Sequence, residues 1–339
     1  MVHRWTPLGV ILSMALASQG AAQIVVNSLD DPGLPGDGLT TLREAIDQAN
    51  ITGGVTIHFD PMLAGGTIQP TSQLPQIIGG NITIDGDIDD DDAPDIELDG
   101  SLTGSESDGF RISSGGNSIV GLVINRFPRF GIFPFGPAAS GNTISHCYIG
   151  TNLDGDEARP NGDAGIWMRQ DTSGTQVGPG NVISGNTAQG IVINGGSGHV
   201  IFGNIIGLDV TGTADLGNVS GGITIYSGAN DNTIGPGNVI SGNDFDAITV
   251  HYSDRTQIVG NLVGTDITGS VGLGNVWAAV RLVDTDGTVI GGPNEGDGNV
   301  LSGNGGSGVF AEYVTNTVIQ GNIIGLDAIG TTPIPNVFH

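Results

Sequence analysis

Gly178 to Asn186 reads GPGNVISGN, and the same nine residues return at Gly235 to Asn243, 57 positions later (235−178). Aligning the two copies brings their neighbours into register. NVISGN at Asn181 and Asn238 is echoed by NVLSGN at Asn299, and NIIGLDVTGTADLGN at Asn204 by related stretches at Asn261 and Asn322. Both series step by 57 and then 61 residues (238−181 and 299−238; 261−204 and 322−261), so one unit repeats. Each unit holds six short β-branched runs bounded by Gly, Asn and Asp, which are strand and corner signals, with no segment of crossover-helix length between them. Three strands per turn give a short coil over 174–198 and a long one over 199–230, and 231–255 and 256–287 repeat the pair. A strand that cannot bury its face alone must stack on the next coil. The expected fold is all-β: a right-handed parallel β-helix with Ile and Val in inward columns and coils about 4.8 Å apart. In that reading Asn181, Asn238 and Asn299 are corner residues whose amides stack and hydrogen-bond, and GPGNVISGN serves shape rather than chemistry.

Composition narrows the function classes. Gly makes up 60 of 339 residues, without the three-residue period of collagen. Thirty-five acidic residues face nine basic ones, all Arg, and the net charge of −26 repels nucleic-acid backbones and anionic lipid surfaces. The same charge suits saline surroundings or divalent cations. His3 and Arg4 precede an apolar run from Leu8 to Ala17, and Gly20-Ala21-Ala22 ends in small residues. Residues 1–22 therefore read as an export signal, too short to span a bilayer, and the expected destination is outside the cytoplasm. The single cysteine, Cys147, has no internal disulfide partner and reads as a small core residue.

Solenoid ends need caps. TTLREAIDQAN, Thr40 to Asn50, places Leu42, Ala45, Ile46 and Ala49 on one helical face, so 23–80 is expected to hold a helical cap and the first coil, and 81–339 the repeats. This helix resembles the CSLREA segment that precedes β-helix repeats in secreted bacterial proteins, with Thr40-Thr41 where Cys-Ser often stands. The NVISGN and IGLDVTGTADLGN units are similar to repeats of the same large extracellular proteins, within the pectin lyase-like group of folds. At the other end Asn336-Val337-Phe338-His339 aligns with Asn275-Val276-Trp277-Ala278, which predicts further coils, or a cap or anchor, beyond the last residue.

The third strand of each coil offers the most chemistry. Aligning GFRIS, GIFPF, GIWMR, GIVIN, GITIY, AITVH, AVRLV and GVFAE turns Ile166, Met168, Ile191, Ile193, Ile223, Ile225, Ile248 and Val250 inward. Two outward columns result: Arg111, Phe133, Trp167, Val192, Thr224, Thr249, Arg281, Phe310, and beside it Ser113, Phe135, Arg169, Asn194, Tyr226, His251, Val283, Glu312. Aromatic rings stack on sugars and Arg forks onto carboxylate or sulfate, so Trp167, Arg169, Tyr226, His251, Arg281 and Phe310 form the candidate glycan-binding set. The family resemblance implies a cleft on the comparable strand face. It also implies that a lyase would use Lys or Arg as base with calcium and a hydrolase clustered Asp; without Lys, the catalytic candidates are Arg169 and Arg281, helped by His251 and Glu312.

A second candidate lies in IDGDIDDDDAPDIELDG, Ile84 to Gly100, where Asp87, Asp89, Asp91 and Asp95 are spaced to wrap oxygen ligands around a Ca²⁺ ion. It lacks the central Gly and terminal Glu of an EF-hand, and a solvated acidic loop is the competing reading. Asp209, Asp266 and Asp327, with Asn152 at the matching place, read as turn caps. Three roles stay open at this level: a secreted, non-catalytic protein binding a polysaccharide or cell-surface glycan, a polysaccharide lyase or hydrolase working on the same face, and a structural spacer of a larger adhesin.

Overall fold

The computed structural model describes residues 22–33 and 36–338. The residues read as the export signal, up to position 21, lie outside that range. The chain winds as a right-handed parallel β-helix of three sheets with eleven, ten and eight strands. Successive strands of each sheet come from successive coils: Val177 pairs in register with Ile201, Ile201 with Ile234, Ile234 with Ile258 and Ile258 with Ile290. Ile183, Ile206, Ile240, Val263 and Leu301 form the matching column of the ten-stranded sheet. These side chains are fully buried, and each contributes on the order of 1.5–3 kcal/mol relative to exposure. The thin Ile and Val core is long rather than thick, so an apolar share of 37% suffices.

The corner prediction holds in a denser form. Asn181, Asn238 and Asn299 do not bond to one another directly; Asn204 and Asn261 lie between them, and Asn322 follows Asn299. Each Nδ2 donates to the next Oδ1, from Asn181 to Asn204 (2.8 Å), Asn238 (2.9 Å), Asn261 (2.8 Å), Asn299 (2.9 Å) and Asn322 (2.8 Å). A second ladder runs from Asn161 through Asn186, Asn218, Asn243, Asn275 and Asn304 to Asn336. NVISGN thus supplies a rung to both ladders and the strand between them. The glycine that opens the repeated motif is required: Gly178 and Gly235 have φ of 120° and 114°, and a Cβ there would strike the carbonyl oxygens of Phe202 and Val259.

At the N-terminal end, helix α1 (Leu42–Thr52) is capped by Thr41, whose hydroxyl accepts from the Glu44 N–H while the Glu44 carboxylate accepts from the Thr41 N–H. It buries Leu42, Ala45, Ile46 and Ala49 against strands Ala22–Val26 and Val55–Phe59, the first two of the eleven-stranded sheet. Arg43 pins it by gripping both oxygens of Asp31 at 2.7 and 2.8 Å. Cys147 is a buried core residue, and burial pushes its thiol up to about 12. Among the described residues no helix is long and apolar enough to cross a membrane.

Candidate functional site

The eight-stranded sheet consists of Phe110–Ile112, Ile132–Pro134, Ile166–Met168, Gln189–Asn194, Gly221–Tyr226, Ile248–His251, Val280–Val283 and Val309–Glu312. Its register aligns Arg111 with Phe133, Trp167 with Val192, Val192 with Thr224, Thr224 with Thr249, Thr249 with Arg281 and Arg281 with Phe310. Asn194 pairs with Tyr226, His251 with Val283 and Val283 with Glu312. Their alternate neighbours, Ile166 to Val250, are buried. The two outward columns therefore stand side by side on one sheet.

Outward does not mean bare along the whole column. Phe133 is 8% exposed and Val192 only 1%, because large rings from adjacent coils fold over them. Phe130 lies 5.1 Å from Phe133 and 4.9 Å from Trp167, Phe133 stacks on Phe135 at 5.0 Å, and Tyr226 meets Trp167 edge-on at 6.3 Å. Trp167 and Tyr226 remain half-buried, each presenting part of its ring to solvent. Burial first, then the charge of Asp163, raises the Tyr226 hydroxyl above its usual range. The Arg129 guanidinium sits over Phe130 at 4.8 Å and over Phe133 at 5.7 Å. Arg129, Phe130, Phe133, Trp167, Arg169 and Asn194 enclose a hollow of about 260 Å³.

Charge singles out one residue in this hollow. Arg43, Arg111, Arg126, Arg129, Arg159, Arg255 and Arg281 each have a carboxylate within 4.0 Å. Among the described residues, Arg169 is the arginine without an acidic partner at that range, and it is exposed. In a chain with 35 acidic residues, that vacancy beside Trp167 leaves a guanidinium fork free for an incoming anion.

Further along the same face a second cluster forms. Arg281 lies over the Phe310 ring at 5.0 Å and 4.0 Å from the buried carboxylate of Asp246. Asp246, Trp277, Ala278, Arg281, Phe310 and Phe338 bound a hollow of about 450 Å³, with the Phe245 ring tilted against Trp277 at 5.5 Å. Burial raises Asp246, against the opposing pull of the Ala278 N–H and Arg281. The catalytic candidates do not converge: among the described residues no hydrogen bond or ion pair joins any two of Arg169, His251, Arg281 and Glu312. His251 instead packs on Tyr252 at 3.9 Å, and Glu312 is exposed at the end strand.

The acidic loop lies between strands Thr83–Asp85 and Ile96–Asp99, at the corner of the other two sheets. It brings Asp87, Asp89 and Asp95 within 4.8 Å of one another and leaves Asp91 outside that group. Asp91 turns back to accept from the Ala93 N–H, while Asp87 accepts from the N–H groups of Asp91 and Asp92. Partial desolvation, then the charges of Asp91, Asp95 and Asp87, raise Asp89 above the usual carboxylate range. Asp209, Asp266 and Asp327 cap their own turns, as does Asn152: Asp209 accepts from Thr213 and Ala214 N–H at 2.9 Å, and Asn152 from Asp156 and Glu157 at 3.0 Å.

Sequence reasoning missed Arg129, Phe130, Asp246 and Trp277, which lie in the corners just before the strands, outside the alternation that identified the columns. A signal existed in FPRF, Phe127 to Phe130. Asp246 stands in register with Phe130, Ala164, Gln189 and Gly221, and with Asp108, another buried carboxylate, which Arg111 and Arg129 approach.

The family described as the right handed beta helix region matches residues 85–236. No curated protein matches the sequence. Among solved structures, the periplasmic alginate epimerase AlgG is similar at 13% identity over 79% of this chain and 71% of its own, with a TM-score of 0.47; for a mutant form of it the share is 62% of that chain. The Azotobacter vinelandii mannuronan C-5 epimerase AlgE4 A-module is 14% identical over 88% and 89%, TM-score 0.41. Pectate lyase Pel9A is 13% identical over 92% and 82%, TM-score 0.39.

Proposed function

We propose that this protein binds an anionic polysaccharide along the outward face of the eight-stranded sheet, without catalysing its cleavage. The observation that carries the reading is the exposed Arg169 guanidinium, lacking an acidic partner, beside the half-exposed rings of Trp167 and Tyr226. An aromatic platform takes the apolar face of a sugar ring, and the guanidinium takes its carboxylate or sulfate. The chain's net charge of −26 repels polyanions in general, so recognition depends on this local arrangement and weakens with salt. The unconverged positions of Arg169, His251, Arg281 and Glu312 favour binding over catalysis. The acidic loop sits on other sheets, and the reading does not depend on a cation there. The apparent export signal and the CSLREA-like helix fit an extracellular or surface ligand.

Affinity electrophoresis through gels containing alginate, polygalacturonate, a sulfated glycan or neutral dextran tests the proposal. The protein is expected to be retarded by at least one acidic polymer and not by dextran, and Trp167→Ala with Tyr226→Ala to abolish the retardation. Equal mobility of wild type and double variant in every gel would refute it and leave the spacer role.

A further inference from the structure

We infer that the hollow bounded by Asp246, Trp277, Arg281 and Phe310 is a second sugar subsite, which takes a ring presenting a vicinal diol from the same glycan chain that Arg169 anchors. The inference rests on the glycan-binding reading and adds a length and a polarity to it.

The carboxylate of Asp246 is 2% exposed, yet only one of its oxygens is well satisfied. Oδ1 accepts from the Ala278 N–H at 2.8 Å. Oδ2 has Thr249 Oγ1 at 3.5 Å and Arg281 Nη1 at 4.0 Å, both beyond an ordinary hydrogen bond. A buried carboxylate oxygen left short of donors is costly, and a hydroxyl entering the hollow completes it. Arg281 stands beside it with guanidinium N–H groups. Acceptor and donor side by side match two adjacent hydroxyls, one donating to Asp246 and the other accepting from Arg281. Trp277 and Phe310, 51% and 40% exposed, supply apolar ring faces at the same place.

The register ties this hollow to the first. Trp167 and Arg281 occupy one column, four coils apart through Val192, Thr224 and Thr249, which is about 19 Å at the spacing of stacked strands. Those three side chains are small, whereas both ends of the column are aromatic or Arg. Val192 lies beneath the Phe130, Trp167 and Tyr226 rings, so the face is lowest at the half-buried Thr224 and Thr249, with that ring cluster on one side and Arg281 and Phe310 on the other. The rise per ring of an extended polysaccharide is close to the rise per coil, so a chain lying along the axis places one ring on each coil. Its anionic group is needed at the Arg169 end; the Asp246 end selects a ring whose hydroxyls are free and whose charge is absent or turned away.

Calorimetric titration of the full chain with polyuronate oligomers of two to eight units separates the possibilities. Wild type is expected to bind the octamer roughly tenfold more tightly than the tetramer, the gain of one further engaged platform. Trp277→Ala should remove that gain while tetramer affinity stays unchanged, and Arg281→Gln, tested independently, should also remove it; Trp277 is half exposed, and an unaltered melting temperature verifies the fold. The inference is overturned if the octamer binds no better than the tetramer, or if both variants keep the wild-type gain while Trp167→Ala loses binding. Absence of binding by wild type at every length would instead bring down the glycan reading, and this inference with it.

Discussion

Asn204 gives its Nδ2–H to Oδ1 of Asn238 at 2.9 Å, and its backbone N–H reaches the same oxygen at 3.1 Å. One amide thus closes the corner of its neighbour's coil while donating onward to Asn261 and to the Ile201 carbonyl, both at 2.8 Å. Repeated in each coil, this relationship fixes the rise of the solenoid and hence the alignment of the outward columns. Asn238→Ala leaves the Asn204 donors and the Oδ1 of Asn261 short of partners in a dry corner. The expected cost is about 2–4 kcal/mol, read as a lower urea midpoint with an unchanged slope.

His199 occupies the third corner and makes the fold acid-sensitive. Its Nδ1 accepts from the Thr175 N–H at 3.2 Å, an arrangement that only the unprotonated nitrogen permits. Burial pushes the imidazole down to about 4 from an ordinary 6.5. Between those values the unfolded chain binds a proton that the folded chain refuses, so stability falls as pH drops through this window, by on the order of 3 kcal/mol (6.5−4 units at about 1.4 kcal/mol each). His199→Asn, matching Asn232 one coil on, should flatten the pH dependence of thermal melting between pH 6.5 and 4. A slope equal to wild type would show that other groups cause it.

The acidic loop carries the opposite sign. Asp89 is raised, meaning that the fold disfavours its ionised form, so its destabilising contribution is present at neutral pH and vanishes as pH falls through its folded value. Asp89→Asn should therefore raise the melting temperature at pH 7, with the difference closing towards pH 3. A lower melting temperature at pH 7 would show that this carboxylate is needed by the loop.

The fold was legible because its determinants are periodic. Alternation of Ile166, Trp167 and Met168 gave the facing of each side chain, and the alignment of the third strands gave the register that pairs Trp167 with Val192 and Arg281 with Phe310, the 57- and 61-residue steps linking Val192 to Thr249 and Thr249 to Phe310 two coils on. Interleaving was harder to read: Asn204 lies in a different motif from Asn181, and only the stacking of short on long coils puts them in contact. Asn161, Asn218, Asn275 and Asn336 follow variable long-coil loops, so their ladder was not evident at all. The site was half legible for the same reason. Strand residues obey a period of two, but Phe130, Asp246 and Trp277 sit at corners where direction depends on the local turn. Exposure was also misjudged at Phe133 and Val192, since alternation gives direction but not what neighbouring coils lay on top.

The central claim is that Arg169 and its aromatic neighbours grip an anionic sugar. The most direct measurement is calorimetric titration of wild type and Arg169→Gln with a polyuronate and with the same polymer after reduction of its carboxyls to alcohols. Wild type should bind the polyuronate at least tenfold more tightly than the reduced polymer, and Arg169→Gln should bind both as weakly as wild type binds the reduced one. Indistinguishable titrations of the polyuronate by wild type and Arg169→Gln would contradict the account.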